Sequence, residues 1–417
     1  MLTFVLLLAI VMLYAMLFRV AGGRSIVFIA AILQATFYIP ILFLVDVNDH
    51  LELKFLLVHQ TFFISFLSFA ILFSAKLSDS QFSTPQILLD KRRYFIWNAF
   101  YFTVSIIVSG AFFMATGGLI FSRIAFVDDV AGLRLSFYAS GDSGAGYVNQ
   151  FRNILLPVTI GAISFFLDRK LRLFFLIFAI PAALVLLTGT GQRFPLVFAA
   201  TYAFVTFVVL RGVRLNFRVI FLSVMFLFVF GYLSSLLGRA DASFLSSVVH
   251  IIERVFSVNQ SSNIATFFYL DQRGMVYGKD WVEDLVGISP FARPSTIANE
   301  LFSVLYGSSR GSSPPSLASS AFYNFHAFGL FLIPALLAFS LAWIARKLHG
   351  KVIHASKFLA LIFLGLVIGS WTTGGINTLL NRGFLAILLY LFSLRLVLHT
   401  RAPSQKGRQH RERSVSG

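Results

Sequence analysis

Cysteine is absent from this 417-residue sequence, and charged residues are scarce. The lack of cysteine excludes disulfides, thiolate catalysis and cysteine-ligated metal in this chain. Charged residues make up 12% of the sequence against 58% hydrophobic residues, and the mean hydropathy is +0.83. Because soluble domains carry about 25% charged residues, lipid is the expected solvent for most of this chain. The composition predicts an all-α polytopic membrane protein.

About eleven apolar stretches are long enough, alone or with tilt, to cross a hydrocarbon core that takes roughly 20 helical residues. The first has neither a charged leader nor an Ala-x-Ala cleavage site, so it is expected to remain as a helix. The predicted organisation is helices 1–8 in residues 1–237, one large outer loop with short helices in 238–327, helices 9–11 in 328–400, and a basic tail in 401–417. The predicted spans are 2–18, 25–45, 55–75, 94–121, 151–167, 173–188, 194–210, 219–237, 328–344, 358–371 and 384–398.

The basic residues alternate between connectors. One set of connectors, with the tail, holds 22 of the 34 Lys and Arg residues but 4 of the 17 acidic residues. Cytoplasmic connectors retain Lys and Arg, so the N-terminus and residues 238–327 are predicted to lie outside and the C-terminus inside. Charge spread over short connectors also argues against a nucleic-acid partner, which would need one basic face. The tail is expected to contact anionic lipid headgroups.

The twelve outer basic residues need another explanation, because the positive-inside rule does not require them. Arg suits phosphate, since its planar fork stays charged and donates in pairs. The alternative for each Arg is a pair with an outer carboxylate or with lipid headgroups. Both interpretations stay open. The candidate anion ligands are Arg193, Arg254, Arg273, Arg293 and Arg310.

Arg193 occupies the best setting for an anion. It ends a Gly-rich outer turn, residues 187–192, and directly precedes a predicted helix start at Phe194 and Pro195. Glycine permits a tight backbone, and a helix N-terminus offers free N–H groups to an anion. Arg382 recurs in a similar Gly-rich setting.

Two short helices are predicted inside the outer loop. Residues 244–258 form an amphipathic pattern that includes His250, either lying on the membrane surface or serving as a scaffold. Residues 295–305 form a second helix that carries Glu300. These two residues and His326 are the candidate general bases, ranked His326, Glu300, His250, although a lone His beside aromatics is more often a packed residue.

The Pro-Pro-Ser element at residues 314–316 predicts an early start of the next long helix, with Ser316 near its N-cap. Its first turns would then stand at the outer surface and line a cavity. The predicted cavity-lining residues, which share one stripe, are Ser316, Ser320, Tyr323 and Asn324.

Three carboxylates, Asp280, Glu283 and Asp284, could share one face of a helix. Beside Lys279 and Trp281 they are interpreted as a solvated helix start. No divalent-metal site is expected from their spacing.

The chain resembles the bacterial oligosaccharide repeat-unit polymerases of the O-antigen type in three features. These are the Gly-rich turn that ends at Arg193, one dominant outer loop, and the pattern Pro315-Ser316-Leu317, six residues, Asn324, then Gly329. The topology covers nearly the whole chain but is shared by many transporters, whereas residues 278–329 are more specific. Related O-antigen ligases usually show His-Asn at Pro315-Ser316, which favours polymerase over ligase. The chain departs from the polymerase pattern by placing His326-Ala-Phe before Gly329.

The resemblance implies a glycosyltransferase at the periplasmic face of the bacterial inner membrane. It would move a growing glycan from undecaprenyl diphosphate onto a carrier-linked repeat unit, with the Arg residues holding the diphosphate. No cofactor or metal is implied. The implied partners are undecaprenyl-diphosphate-linked oligosaccharides, membrane lipids, and a flippase and a chain-length regulator of the same pathway. The alternative is a transporter or flippase, which should place charge near the bilayer midplane and often shows an internal repeat.

Overall fold

The computed structural model describes residues 1–23, 25–75, 86–88, 91–115, 145–166, 169–189, 194–211, 225, 249, 253, 259–286, 297–307, 313–348 and 352–399. These residues are mostly helical, as the composition predicted. One short β element accompanies the helices: β1 (Gln86–Leu88) and β2 (Val352–His354) form a parallel pair, with Ile87 opposite Ile353. The pair joins two connectors that were predicted to face the cytoplasm.

Sixteen α-helices and two π-helical segments are described. The elements are α1 (Leu2–Ala21), α2 (Ile26–Tyr38), α3 (Ile41–Leu44), α4 (His50–Ser74), α5 (Lys91–Ala115), α6 (Ala145–Gln150), π1 (Phe151–Leu155), α7 (Leu156–Phe166), α8 (Arg169–Thr188), α9 (Phe194–Arg211), α10 (Asn259–Arg273), α11 (Lys279–Val286), α12 (Ile297–Tyr306), α13 (Leu317–Leu348), α14 (Ala355–Gly369), α15 (Ile376–Leu379), π2 (Leu380–Phe384) and α16 (Leu385–His399).

Ten of the predicted spans coincide with described helices, and the eighth, residues 219–237, lies outside the described residues except for Met225. Five helical stretches are long and apolar enough to cross a membrane: Leu2–Ala21, Ile26–Leu44, His50–Ser74, Tyr94–Ala115 and Leu317–Leu348. Several shorter helices are also apolar. The total number of spans and their orientation stay predictions.

Helix α14 lies at the centre of the bundle, with every residue except Lys357 buried. Two glycines on one face of α14 allow α2 to approach closely: a Cβ at Gly365 would lie 2.5 Å from Ile26 Cγ1, and one at Gly369 would lie 2.6 Å from Ala30 Cβ. Small residues four apart are typical of helix contacts in membranes, where close backbone packing replaces the hydrophobic driving force.

The break between α2 and α3 fixes two further elements. Proline lacks an N–H, so Pro40 interrupts the helical ladder. The carbonyl of Tyr38 accepts from the Gln60 amide at 2.9 Å, and the carbonyl of Phe37 accepts from the Gln260 amide at 2.9 Å. Backbone groups within lipid need such partners. Thus α4 and the start of α10 are both held against the break.

Gly369→Ala should lower the melting temperature of the purified protein, because the added methyl would overlap Ala30 and force α2 and α14 apart. Gly110→Ala in α5 is the matched control, since a Cβ there meets nothing within 4 Å. That change should be neutral or stabilising by up to about 1 kcal/mol. Equal melting temperatures for the two variants would contradict the close contact.

Candidate functional site

The described part of the predicted outer loop supplies α10, α11, α12 and the first turns of α13. The last turn of α10 carries Arg273, whose Nη1 donates to both oxygens of Asp280 on α11, at 3.0 and 3.2 Å. Its Nη2 lies 3.8 Å from Glu300 Oε2 on α12. The Tyr269 hydroxyl donates to the other oxygen of Glu300. One network therefore joins three helices of the loop.

The contacts of this network raise the pKa values of Arg273 and Tyr269. Burial lowers the pKa of the Arg273 guanidinium, but the hydrogen bond and charge of Asp280 outweigh burial and raise it overall. The hydrogen bond to Glu300, followed by burial, raises the pKa of the Tyr269 hydroxyl. In this structure Arg273 pairs with carboxylates, which was the alternative interpretation for each outer Arg. Its role as a diphosphate ligand stays a prediction.

Asp271, two residues earlier, forms a second network. Its Oδ1 accepts from the Lys54 ammonium of α4 and, at 2.7 Å, from the Tyr323 hydroxyl of α13. Burial raises the pKa of the Asp271 carboxyl, but the hydrogen bonds from Lys54 and Tyr323 lower it further than burial raises it. The last turn of α10 is thus tied to α4 and α13 by one carboxylate and to α11 and α12 by one guanidinium.

Helix α13 is broken at His326, where φ is 56° and ψ is −154°. This backbone region is nearly restricted to glycine and costs a residue with a side chain about 1–3 kcal/mol. Just before the break, the carbonyl of Tyr323 accepts from Val276 N–H at 3.0 Å. After it, Gly329 packs so closely that a Cβ would lie 2.2 Å from the Ala321 carbonyl oxygen. The prediction of one continuous helix from Ser316 was therefore wrong at this point.

The His326 side chain is exposed at the break. Its ring lies 5.5 Å from that of Phe322, and the ammonium of Lys54 on α4 lies 5.8 Å from the centre of the same Phe322 ring. The exposed His326 ring and the Lys54 ammonium of the Asp271 network therefore share one neighbour, the Phe322 ring.

Ser316 is the N-cap of α13, as predicted: its Oγ accepts from Ser319 N–H at 3.0 Å. The Oγ also lies 2.6 Å from Nε2 of His59 on α4. Nδ1 of His59 lies 2.7 Å from the Phe55 carbonyl, which can only accept, so Nδ1 carries the proton and Nε2 accepts from Ser316. Ser316, Ser319 and His59 are each 0% exposed.

The backbone around Ser316 pairs with the segment after α14. Ser316 and Thr373 form an isolated antiparallel bridge. Leu317 N–H donates to the Thr372 carbonyl at 2.8 Å, and Gly374 N–H donates to the Pro315 carbonyl at 2.6 Å. These bonds satisfy main-chain groups on both segments.

The four predicted cavity-lining residues lie in packed interfaces, because none is more than 3% exposed. Ser316 binds His59, Tyr323 binds Asp271, and Ser320 Oγ accepts from Trp281 Nε1 at 2.9 Å. Asn324 donates to the Ser320 carbonyl at 2.9 Å. Their stripe joins α13 to its neighbours, and a cavity along it stays a prediction.

Five of the predicted site residues lie outside the residues that the structure describes: His250, Arg193, Arg254, Arg293 and Arg310. Arg152 is described, fully buried in π1, where it donates to Asn149 and Asn153 at 2.8 and 2.9 Å. π1 contacts π2, the segment that contains Arg382. Such π-helical segments occur frequently at functional sites.

The interpretation of residues 280–284 as a solvated helix start was wrong. Asp280 and Asp284 are 3% and 4% exposed, because α11 turns both carboxylates toward the protein. Glu283 pairs with Lys279 at 3.7 Å. Among the described residues no group of three His, Asp or Glu side chains could hold a metal ion.

Sequence reasoning missed His59, Lys54, Asp271 and helix α10. His59 lies within an apolar span, where a single His gives no signal of its partner. The amphipathic spacing of Asn263, Phe267 and Leu270, all buried, could have indicated α10.

Comparison of the chain with protein-family models, with curated proteins and with solved structures finds no match in any of the three. The functional interpretation therefore rests on the residues described above.

Ser316→Ala should destabilise the protein more than Ser319→Ala. The first change removes an N-cap, at about 1 kcal/mol, and leaves the buried His59 Nε2 without its close donor, at about 1–3 kcal/mol. Ser319 Oγ lies 3.4 Å from that nitrogen, so its loss should cost less. Denaturation of both variants in the same detergent tests the order, and a smaller loss for Ser316→Ala would reject the proton assignment.

Asp271 should make stability depend on pH. Since its folded pKa is lowered, its contribution is present above the unfolded value near 3.9 and is lost as the pH falls through the folded value. The melting temperature of the native chain should therefore fall more steeply with acidification below about pH 4 than that of Asp271→Asn. Parallel curves for the two proteins would show that the Lys54 and Tyr323 contacts contribute nothing.

Proposed function

We propose that the chain is a membrane glycosyltransferase that polymerises undecaprenyl-diphosphate-linked oligosaccharide repeat units into a surface polysaccharide at the periplasmic face of the bacterial inner membrane. One observation carries the proposal: the described carboxylates lie at the predicted outer ends of the helices and in the outer loop, and the break in α13 exposes His326 in the same loop. A transferase acting on lipid-linked sugars needs polar chemistry at one membrane face, beside an apolar bundle that accommodates the carrier.

The reaction has one bond made and one broken. An acceptor sugar hydroxyl attacks the anomeric carbon of the donor glycan, the bond from that carbon to the diphosphate oxygen breaks, and a base takes the hydroxyl proton. Undecaprenyl diphosphate leaves with the bonding electrons. A positioned base contributes a factor of about 10² to 10⁴ to such a step.

His326 is the first candidate for that base. Its ring is exposed, so it can reach a substrate and return its proton to solvent. The backbone break and the neighbouring Phe322 ring fix its direction. Strained backbone that persists at one residue is typical of functional sites.

Glu300 and His250 remain lower-ranked candidates. Glu300 accepts from Tyr269 and lies beside Arg273, so taking a substrate proton would require it to give up those contacts. His250 lies outside the described residues. In the proposal, Arg193 and at least one of Arg254, Arg273, Arg293 and Arg310 stabilise the charge that develops on the diphosphate. Arg273 also positions the loop through Asp280.

A flippase of lipid-linked sugars is the alternative, and the buried His59 favours it, because ionisable residues inside spans commonly mark transport pathways. Both ring nitrogens of His59, however, already have hydrogen-bond partners within the protein, the Ser316 hydroxyl and the Phe55 carbonyl. A strain lacking the gene separates the functions. Loss of long chains with single repeat units retained on the surface supports the polymerase. Loss of all repeat units supports a flippase, and long chains left on the carrier support a ligase.

His326→Gly and His326→Ala together separate the side chain from the backbone. Glycine accepts the positive φ without strain, so His326→Gly should be at least as stable as the native protein. With purified lipid-linked repeat unit, both variants should lose at least about tenfold in turnover if the imidazole is the base. Full activity of His326→Gly would reject His326 as the base. Loss in His326→Ala alone would assign the effect to the backbone.

A further inference from the structure

Helix α11 exposes its aliphatic face and buries its acidic face, the opposite of what is expected for a helix in water. Its acidic residues Asp280 and Asp284, four apart, are 3% and 4% exposed. Its aliphatic residues Val282, Leu285 and Val286 are 61%, 48% and 47% exposed. A helix on a soluble surface would bury the aliphatic side chains and expose the carboxylates.

The contacts of α11 place it at the depth where the apolar helices end. A Cβ at Gly375, six residues beyond the end of α14, would lie 2.1 Å from Asp284 Oδ2. The Trp281 ring lies 6.0 Å from the ring of Trp371, two residues beyond α14. These two contacts bring α11 to the segment that directly follows the apolar helix α14.

We propose that α11 is seated in the membrane interface, with Val282, Leu285 and Val286 facing lipid. The partner is the bilayer itself, since an apolar stripe at this depth meets acyl chains without any further protein. Interfacial helices bury such a stripe about 5–10 Å below the headgroups. Lys279, at the start of α11, has a 68% exposed side chain that can reach anionic headgroups while pairing with Glu283.

The interfacial position connects the bilayer to the candidate site. Asp280 accepts from Arg273 on α10, and Trp281 donates to Ser320 on α13, six residues before the break at His326. The aliphatic and acidic faces of α11 therefore have different partners, lipid on one side and the loop network on the other. This inference holds whether the chain is a transferase or a flippase.

The absence of cysteine makes the test direct, since a nitroxide can be attached at one introduced cysteine without background. Val282→Cys, Leu285→Cys and Val286→Cys are labelled in the full chain, in nanodiscs of phosphatidylethanolamine and phosphatidylglycerol. Lys279→Cys and Asn48→Cys are matched controls, because both positions are exposed and polar. Collision with oxygen, which concentrates in lipid, is compared with collision with a water-soluble nickel chelate.

The ratio of oxygen to nickel collision should be several times higher at the three aliphatic positions than at Lys279 and Asn48. A nickel-dominated signal at all three positions would show that the stripe faces water and would overturn the proposal. Low collision rates with both reagents would show that the stripe is covered by protein, which would also overturn the proposal. Melting temperatures equal to that of the native chain confirm that each variant retains its fold.

Discussion

The Ser316 hydroxyl makes the hydrogen bonds on which the rest of the structure depends, because a helix that begins inside the bundle must find partners for its first N–H groups. The Ser316 Oγ caps Ser319 N–H, and its proton goes to a histidine whose other nitrogen is already committed to its own helix. The backbone on either side of Ser316 pairs with residues 372–374. One serine therefore fixes α13 relative to both α4 and α14, and the loop above is built on that junction.

Helix α10 connects the transmembrane bundle to the helices of the outer loop. The side-chain amide of Gln260 donates to the Phe37 carbonyl at the break before Pro40. The last turn of α10 carries Asp271 and Arg273, which contact four other helices. Exposed ion pairs contribute little, about 0–1 kcal/mol each. The pairs here are partly buried, so loss of one partner would leave the other charge without compensation. Their main effect is to set the geometry of α11, α12 and the first turns of α13.

The apolar helices could be predicted from the sequence because the hydropathy of a span sums over many residues. The N-cap at Ser316 could be predicted because Pro-Pro-Ser is a strong local signal for a helix start. The break in α13 could not be predicted from the sequence. The obvious breaker, Pro334, lies inside the helix, whereas the non-helical backbone falls at His326, which has no such propensity. It coincides with the close packing of Gly329 against Ala321 and with the hydrogen bond from Val276 N–H to the Tyr323 carbonyl, and the second contact joins segments far apart in the sequence. Asp280 was likewise misjudged because its partner, Arg273, belongs to a helix that was not predicted.

The same contacts determine how the site responds to movement. Tyr323, one turn before His326, is held by its carbonyl to Val276 and by its hydroxyl to Asp271. Val276 lies in the turn that joins α10 to α11, so a shift of either helix acts on the residue that precedes the break. The direction of His326 is therefore set by the loop, and the loop in turn by the junction at Ser316.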